Sequence, residues 1–343
     1  FTMTTSFLPS DKSIWFSWMS QYSHPIICNL LELKVFEVIH QKQPINIVDL
    51  SKLVSVHPAP LSECLLYCRG EQLNLVSCNE NLEYFLTQTA ESFLLESSEH
   101  YWGHMFTDEF GLSKQSLKNL LQTGNPQWSI LSSWEKGEVP EDRKRQVMRG
   151  MNSHSSPAAH SMVKTVLPKI LEQITPRSNQ INWLDVAGGS GIYSSVTKLN
   201  FPNLNCTVFE LPDNYELTNE FTENFAISHN VDNNVKVLKG NMFTDQWPSS
   251  DYVFMSEIWH DWSDEQCLQL AKQAKSSSKM LILNELVKED NQTSPDNAVP
   301  TLFSLHMMFC TRGKQRTLQE FEEILQEAGF SSITIYRNYF SVW

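Results

Sequence analysis

Apolar positions set the rhythm of this chain, and that rhythm changes partway along it. Ile26, Ile27, Leu30, Leu31, Leu33, Val35, Phe36 and Val38 recur at helical spacing and predict one mostly buried helix. Residues 47–53 and 61–67 predict two shorter helices, separated by Pro58 and Pro60. Two extended runs follow, at 73–76 and 84–87, around the polar turn Cys78-Asn79-Glu80-Asn81. After about residue 160, strand and helix signals alternate. Strands are expected at 182–186, 205–210, 235–238, 252–256, 280–285, 332–337 and 338–342, with helices between the earlier ones. That alternation predicts a parallel, doubly wound sheet, and the closeness of the last two runs suits a terminal antiparallel hairpin.

A chain of 343 residues suggests two domains, and the change of rhythm divides it into 1–140 and 141–343. A hydrophobic content of 41 % supplies a core for each. No run of eighteen apolar residues occurs, so no membrane span is expected, and no basic region leads into an apolar one near the start, so no secretory signal is expected. The helices-then-hairpin order of the first part is that of a winged helix, which serves either DNA binding or packing and dimerisation. Residues 1–100 hold eleven acidic and five basic side chains, and the whole chain carries a net charge of −13. A polyanionic partner is therefore not expected. Seven scattered cysteines, odd in number and without a Cys-x-x-Cys pair, suit a reduced, cytoplasmic compartment. Cys64 and Cys68 share a helix face and read as packing rather than metal ligands, and Asn291-Gln292-Thr293 is a glycosylation pattern that such a compartment leaves idle.

The most informative stretch is Asn182-Trp183-Leu184-Asp185-Val186-Ala187-Gly188-Gly189-Ser190-Gly191, where an apolar strand enters a turn of small residues ahead of a helical pattern from Ile192. Glycine lacks a Cβ, so a ligand can lie against main-chain N–H groups at the start of that helix. The next strand, Cys206-Thr207-Val208-Phe209-Glu210, ends in an acid about 20 residues past the turn, where a carboxylate accepts from ribose hydroxyls. A nicotinamide-dependent oxidoreductase would show the same spacing. Against it, Ser194 stands where a third glycine would fall, and Asp185 would repel a pyrophosphate but suits a cationic amino group.

Together with Phe209-Glu210-Leu211-Pro212, Gly240-Asn241-Met242-Phe243, His260-Asp261-Trp262-Ser263 and Gly313-Lys314-Gln315-Arg316-Thr317, this turn resembles the S-adenosylmethionine-dependent small-molecule O-methyltransferases. These include plant phenolic, acetylserotonin and bacterial polyketide-tailoring enzymes of secondary metabolism. The resemblance runs from about Ser20 to the C-terminus. It implies an α/β fold: a Rossmann-like, seven-stranded class I methyltransferase domain preceded by a mainly helical winged-helix dimerisation domain. It further implies S-adenosylmethionine as methyl donor, no metal, a small aromatic or polyketide-like acceptor, and a homodimer whose N-terminal domain lends a wall to the partner's pocket.

Methyl transfer from a sulfonium is an in-line displacement, so the protein must align the reactants, exclude water and remove the acceptor's proton. A neutral imidazole can take the proton of a phenol, whose pKa is about 10. His260 follows the 252–256 strand at the ligand-binding edge of the sheet and is the expected general base. Glu285, at the end of the neighbouring strand, is expected to orient it. The resemblance places Gln315 where plant enzymes carry a second glutamate beside the base. It also implies cofactor contacts from Asp185, Gly188, Gly191, Glu210, Asp261, Trp262 and Ser155. Asn241 would accept from the adenine amino group through its carbonyl oxygen, Met242 would pack on the ring, and Ser256 stands where plant relatives have lysine. Met148, Met151, His154, Phe303 and Met307 are expected to line the acceptor pocket. Met307-Met308-Phe309, with Trp102 and Phe106, favours an apolar aromatic acceptor, and Val147 replaces a phenylalanine of plant relatives. Relatives that methylate carbon or nitrogen, or use the cofactor structurally, leave a second reading open, as does a non-enzymatic binding or regulatory protein built on the winged helix.

Overall fold

Lys34 adopts a left-handed conformation, φ +57°, and this turns the chain within the expected first helix. The structure, a computed structural model, describes residues 12–106, 114–124, 139–172, 181–232, 235–290 and 298–336. The chain falls into two units, Phe1–Phe110 and Gly111–Trp343. In the first lie α1 (Lys12–Met19), α2 (Ser23–Glu32), α3 (Val35–Lys42), β1 (Ile45–Asn46), α4 (Ile47–Leu53), α5 (Pro58–Cys68), β2 (Val76–Cys78), β3 (Glu83–Leu86) and α6 (Gln88–Phe93). The single helix expected across 26–38 is therefore two. The break at Lys34 leaves Leu33 exposed and lets Val35, Phe36 and Ile39 be fully buried. The first hairpin strand starts three residues later than expected and the second one residue earlier, with Val76 paired to Leu86 and Cys78 to Tyr84, and β1 closes the sheet in the order β1–β3–β2. Asn46 accepts from Asp49 N at the start of α4, and Thr87 from Ala90 N at the start of α6.

The second unit begins earlier than the expected boundary at 140. Its α7 (Lys114–Thr123) packs Leu120 against Phe309, Cys310 and Leu305. Then come α8 (Glu141–Thr165), α9 (Leu167–Leu171), β4 (Ile181–Val186), α10 (Ile192–Asn200), β5 (Leu204–Glu210), α11 (Tyr215–Ser228), β6 (Lys236–Lys239), β7 (Tyr252–Ser256), α12 (Asp264–Ser277), β8 (Met280–Asn284), α13 (Ala298–Cys310) and α14 (Leu318–Glu327). The strands form one parallel sheet in the order β6–β5–β4–β7–β8. Alternate side chains of the central strands feed two cores, as a sheet covered on both faces requires. Trp183, Tyr252 and Phe254 join Ala159, Met162, Val163 and Val196 on one face. Leu184, Val186, Val253 and Met255 join Cys267, Leu270, Ala271 and Phe321 on the other.

Five strands are present in this sheet among the described residues, against the seven expected. Residues 331–336 hold no strand, although Tyr336 rests on the Trp183 core. The return run of the expected hairpin, and the Asn291 pattern, lie outside the described residues.

Candidate active site

The strand order reverses at β4, which is flanked by β5 and β7, and this opens a crevice at the carboxyl edge of the sheet. Ala187, Gly189 and Gly191 have φ of +55°, +55° and +72°, so the chain leaving β4 coils tightly before α10. Ala187 N is tied to Phe209 O at 2.8 Å, and Gly191 N to Gly188 O at 2.9 Å. A Cβ on Gly188 would lie 2.7 Å from Asp185 Cγ, and one on Gly191 would lie 2.7 Å from Thr222 Cγ2. Both positions require glycine because neighbouring atoms fill the space. Glu210, at the end of β5, accepts from Gly189 N at 2.9 Å through Oε2, and from Leu211 N and Asn214 Nδ2 through Oε1. Asp185 is buried and accepts from Ser194 Oγ at 2.8 Å. Burial raises its pKa to about 7, with Ser194 opposing and Glu210 adding to the rise.

Other expected cofactor residues ring the same edge. Asn241 Oδ1 accepts from Phe243 N at 2.9 Å, so the oxygen expected to meet adenine already shapes its own turn. Met242 is half-buried against the second core, and Trp262 meets Phe243 edge-on at 4.6 Å. Ser256 Oγ accepts from Asn284 Nδ2 at 2.9 Å, and the same amide reaches Tyr193 Oη. Ser155 lies half-buried on α8.

His260 sits on a short 3-10 turn, Trp259–Asp261, just past β7. The register that pairs Ser256 with Asn284 brings Glu285 beside it, with Oε2 3.5 Å from Nδ1. Glu285 Oε1 accepts from Ile258 N and Trp259 N at 3.0 and 2.8 Å, which fixes the turn to β8. Gln315 is fully buried with Nε2 3.0 Å from His260 Nδ1, and Asp261 Oδ1 is 3.7 Å from Nε2. Gln315 Oε1 and Glu285 Oε2 have no other hydrogen-bond partner among the described residues. An amide turned so that Oε1 faces the ring gives Nδ1–H two acceptors and leaves the Nε2 lone pair available, the tautomer a base requires. Burial drives His260 down to about 4, against the pull of Glu257 and with the help of His154, Arg316 and His306. Burial raises Glu285 to about 8 against its two main-chain donors, and raises Asp261 to about 8 with Glu257 adding.

Two residues brace this turn, and neither was expected to. Arg316 is buried and donates to Trp259 O at 2.6 Å, Trp262 O at 2.8 Å and Asp264 Oδ1 at 2.8 Å. A Cβ on Gly313 would lie 2.1 Å from His260 O. Both fall in a motif visible in the sequence, but their carbonyl partners are main-chain atoms that no side-chain pattern reveals.

Among the residues expected to line the acceptor pocket, His154 Nδ1 lies 3.0 Å from Glu257 Oε2, and its ring stacks 6.4 Å from Phe303. Phe303 in turn meets His260 edge-on at 5.6 Å. Met148 and Met307 are buried, whereas Met151 is 39 % exposed. Glu257 was also absent from the sequence reading, because an acid at a strand end reads as solvated. The structure holds it at φ +53° with its N bonded to Asn284 O.

The family model described as an O-methyltransferase domain matches residues 115–331. Norreticuline-7-O-methyltransferase of Papaver somniferum is 34 % identical over 152 residues, 43 % of this chain and 39 % of that protein. Pluviatolide O-methyltransferase of Sinopodophyllum hexandrum is 25 % identical over 339 residues, 89 % of this chain and 84 % of that protein. The match to the first of these relatives spans about two fifths of their length. Human N-acetylserotonin methyltransferase, solved in complex with SAM, superposes with a TM-score of 0.76 at 18 % identity, covering 98 % of this chain and 96 % of that one. This likeness establishes the fold.

Proposed function

The chain belongs to the O-methyltransferase-domain family, and on that premise we propose that it transfers a methyl group from S-adenosylmethionine to a hydroxyl of a small aromatic or polyketide-like metabolite. The observation that carries this reading is His260, held through Nδ1 by Glu285 and Gln315, at the sheet edge that also carries the glycine turn.

The residues fit the methyl donor. Gly188 and Gly191 let the turn close on Asp185 and Thr222 into the coil expected to hold the donor, and Glu210 supplies a carboxylate for ribose hydroxyls. Asp185 offers a carboxylate for the donor's amino group. Asn241, Met242, Ser256, Asp261, Trp262 and Ser155 complete the contacts proposed for it. When bound, this donor supplies an activated methyl group. The chain's own part is proton removal: His260 Nε2 accepts the acceptor hydroxyl's proton as the oxygen attacks, while Glu285 and Gln315 keep Nδ1 as the protonated nitrogen. Charge on a buried imidazole is costly, so the low pKa of the free base ensures that it waits unprotonated. Met148, Met151, His154, Phe303 and Met307 would position the flat acceptor.

The first unit is the proposed dimerisation module. On and beside α1, Ile14, Trp18 and Tyr22 are 71, 56 and 52 % exposed, an apolar group that a second copy would cover. A cytoplasmic, metal-free homodimer is the working form of this proposal.

The test is incubation with isotope-labelled S-adenosylmethionine and a phenolic metabolite panel, read by mass spectrometry, with His260→Ala alongside. Label should enter a hydroxyl, and the variant should lose about 10²–10⁴-fold in rate. An undiminished variant would remove the base. Absence of both labelled product and S-adenosylhomocysteine binding would remove the whole reading.

A further inference from the structure

Two histidines that the proposed base and its partners do not use converge from different helices of the second unit. His160 lies on α8, and His229 caps the carboxyl end of α11. A ring nitrogen of one lies within 4.8 Å of a ring nitrogen of the other, and both side chains are half-buried. Packing sets that approach. Ala159 and Val163, which bracket His160 along α8, sit in the core on one face of the sheet, and Phe225 of α11 packs against the same core. The His229 ring stacks on Phe225 with centroids 4.0 Å apart.

Each ring is also held in one tautomer. His160 Nδ1 lies 2.9 Å from Ser156 O, and His229 Nδ1 lies 2.8 Å from Phe225 O, in each case the carbonyl four residues back. A carbonyl can only accept, so Nδ1 carries the proton in the neutral form of both rings and Nε2 carries the lone pair. Two lone pairs cannot hydrogen-bond to one another, and the ligand they bind in common is a cation. An Nδ1–H fixed on a main-chain carbonyl is also the support that orients histidines ligating a metal through Nε2. Imidazole nitrogens suit zinc and neighbouring transition metals, whereas magnesium and calcium take oxygen ligands. Zn–N bonds of about 2.0–2.1 Å put two nitrogens of a tetrahedral ion about 3.4 Å apart, so closing on the ion takes a small swing of the rings. The negative end of the α11 dipole at His229, and the net charge of −13, add to the attraction for a cation.

We propose that His160 and His229 form an accessory zinc site, ligating through Nε2 and tying α8 to α11, with oxygen ligands completing the shell. His160 is six residues beyond His154, about 9 Å along the same helix, and the proposed methyl transfer asks nothing of the ion. The site therefore stands or falls independently of the reading of the cleft.

The test is calorimetric titration of zinc chloride into the full chain, stripped of metal and kept reduced in a non-chelating buffer. The wild type should bind one ion per chain in the micromolar range, and magnesium should not compete for it. His160→Asn and His229→Asn should each weaken that ion at least about tenfold. X-ray absorption at the zinc edge, on wild type loaded with one equivalent, should show about two imidazole nitrogens at about 2.0–2.1 Å and no sulfur at about 2.3 Å. That measurement needs no variant, so a substitution that merely unfolds the chain does not decide the outcome. Three results would overturn the proposal: no zinc bound in the micromolar range; a folded variant of either histidine that binds zinc within tenfold of the wild type; or a sulfur shell, which would assign the ion to thiols among the seven cysteines.

Discussion

Arg316 donates to the carbonyl of Trp259 at 2.6 Å, and its other guanidinium nitrogens reach Trp262 O and Asp264. The two carbonyls flank His260, so one planar fork sets the pitch of the turn that carries this imidazole, the proposed base. Lysine has no such fork. Arg316→Lys should therefore fold but lose roughly 10–100-fold in kcat with a smaller change in KM, since a displacement of about 1 Å costs on that scale. Arg316→Ala should also lower stability by on the order of 3 kcal/mol, because buried carbonyls lose charged donors. Thermal unfolding and steady-state kinetics on the two variants separate these effects.

Gly313 approaches the same turn from the other side. Gly313→Ala would put a methyl 2.1 Å from His260 O and 2.6 Å from Trp262 N. Backbone must give way, and the expected outcome is at least about 10²-fold lower kcat. A crystal structure of the variant should show His260 displaced, and an unmoved turn with normal rate would contradict the packing described above.

The low pKa of His260, about 4, has a direct kinetic consequence. Protonation silences a base, so kcat/KM should stay level well below the ordinary histidine value of about 6.5 before it falls on the acid side. Gln315→Glu would add a carboxylate beside Nδ1, favour the imidazolium and move that acid limb upward. A pH–rate profile of both proteins reads the shift. An acid limb at the ordinary histidine position in the wild type, unmoved in the variant, would contradict it.

Asp185 links the glycine turn to pH-dependent stability. Its folded pKa is raised to about 7 from 3.8, so the folded chain retains a proton that the unfolded chain has released. The associated stability is complete below about pH 3.8 and is lost as pH rises through about 7. Asp185→Asn keeps the shape without the titration. The difference in unfolding midpoint between pH 5 and pH 8 should be smaller in the variant than in the wild type.

Much of this arrangement was legible in the chain. The central strands are apolar and nearly continuous because both faces are covered, so Tyr252–Ser256 was placed to the residue and the strands from 181 and 204 to within one. His260 and Glu285 come together because parallel register carries neighbouring strand ends to the same edge, and Gln315 joins them from the segment ahead of α14. The break at Lys34 was hidden because lysine rarely takes a positive φ. Glu257 was hidden for a different reason: its meaning depends on His154, a residue far upstream on α8, and no local pattern announces such a pairing. Asn241 was expected to turn its oxygen toward a ligand, but that oxygen meets Phe243 N two residues on, a habit of asparagine in turns.

Glu210 closes on Gly189 N through one oxygen while Asn214 and Leu211 hold the other. The loop is thereby latched to the neighbouring strand before anything arrives. A diol that enters must share or displace one of those bonds, so tight grip is given up in return for a receptacle already in its working shape. On the proposed reaction, where a spent donor leaves after every turnover, a ready but modest hold favours rapid exchange over long occupancy.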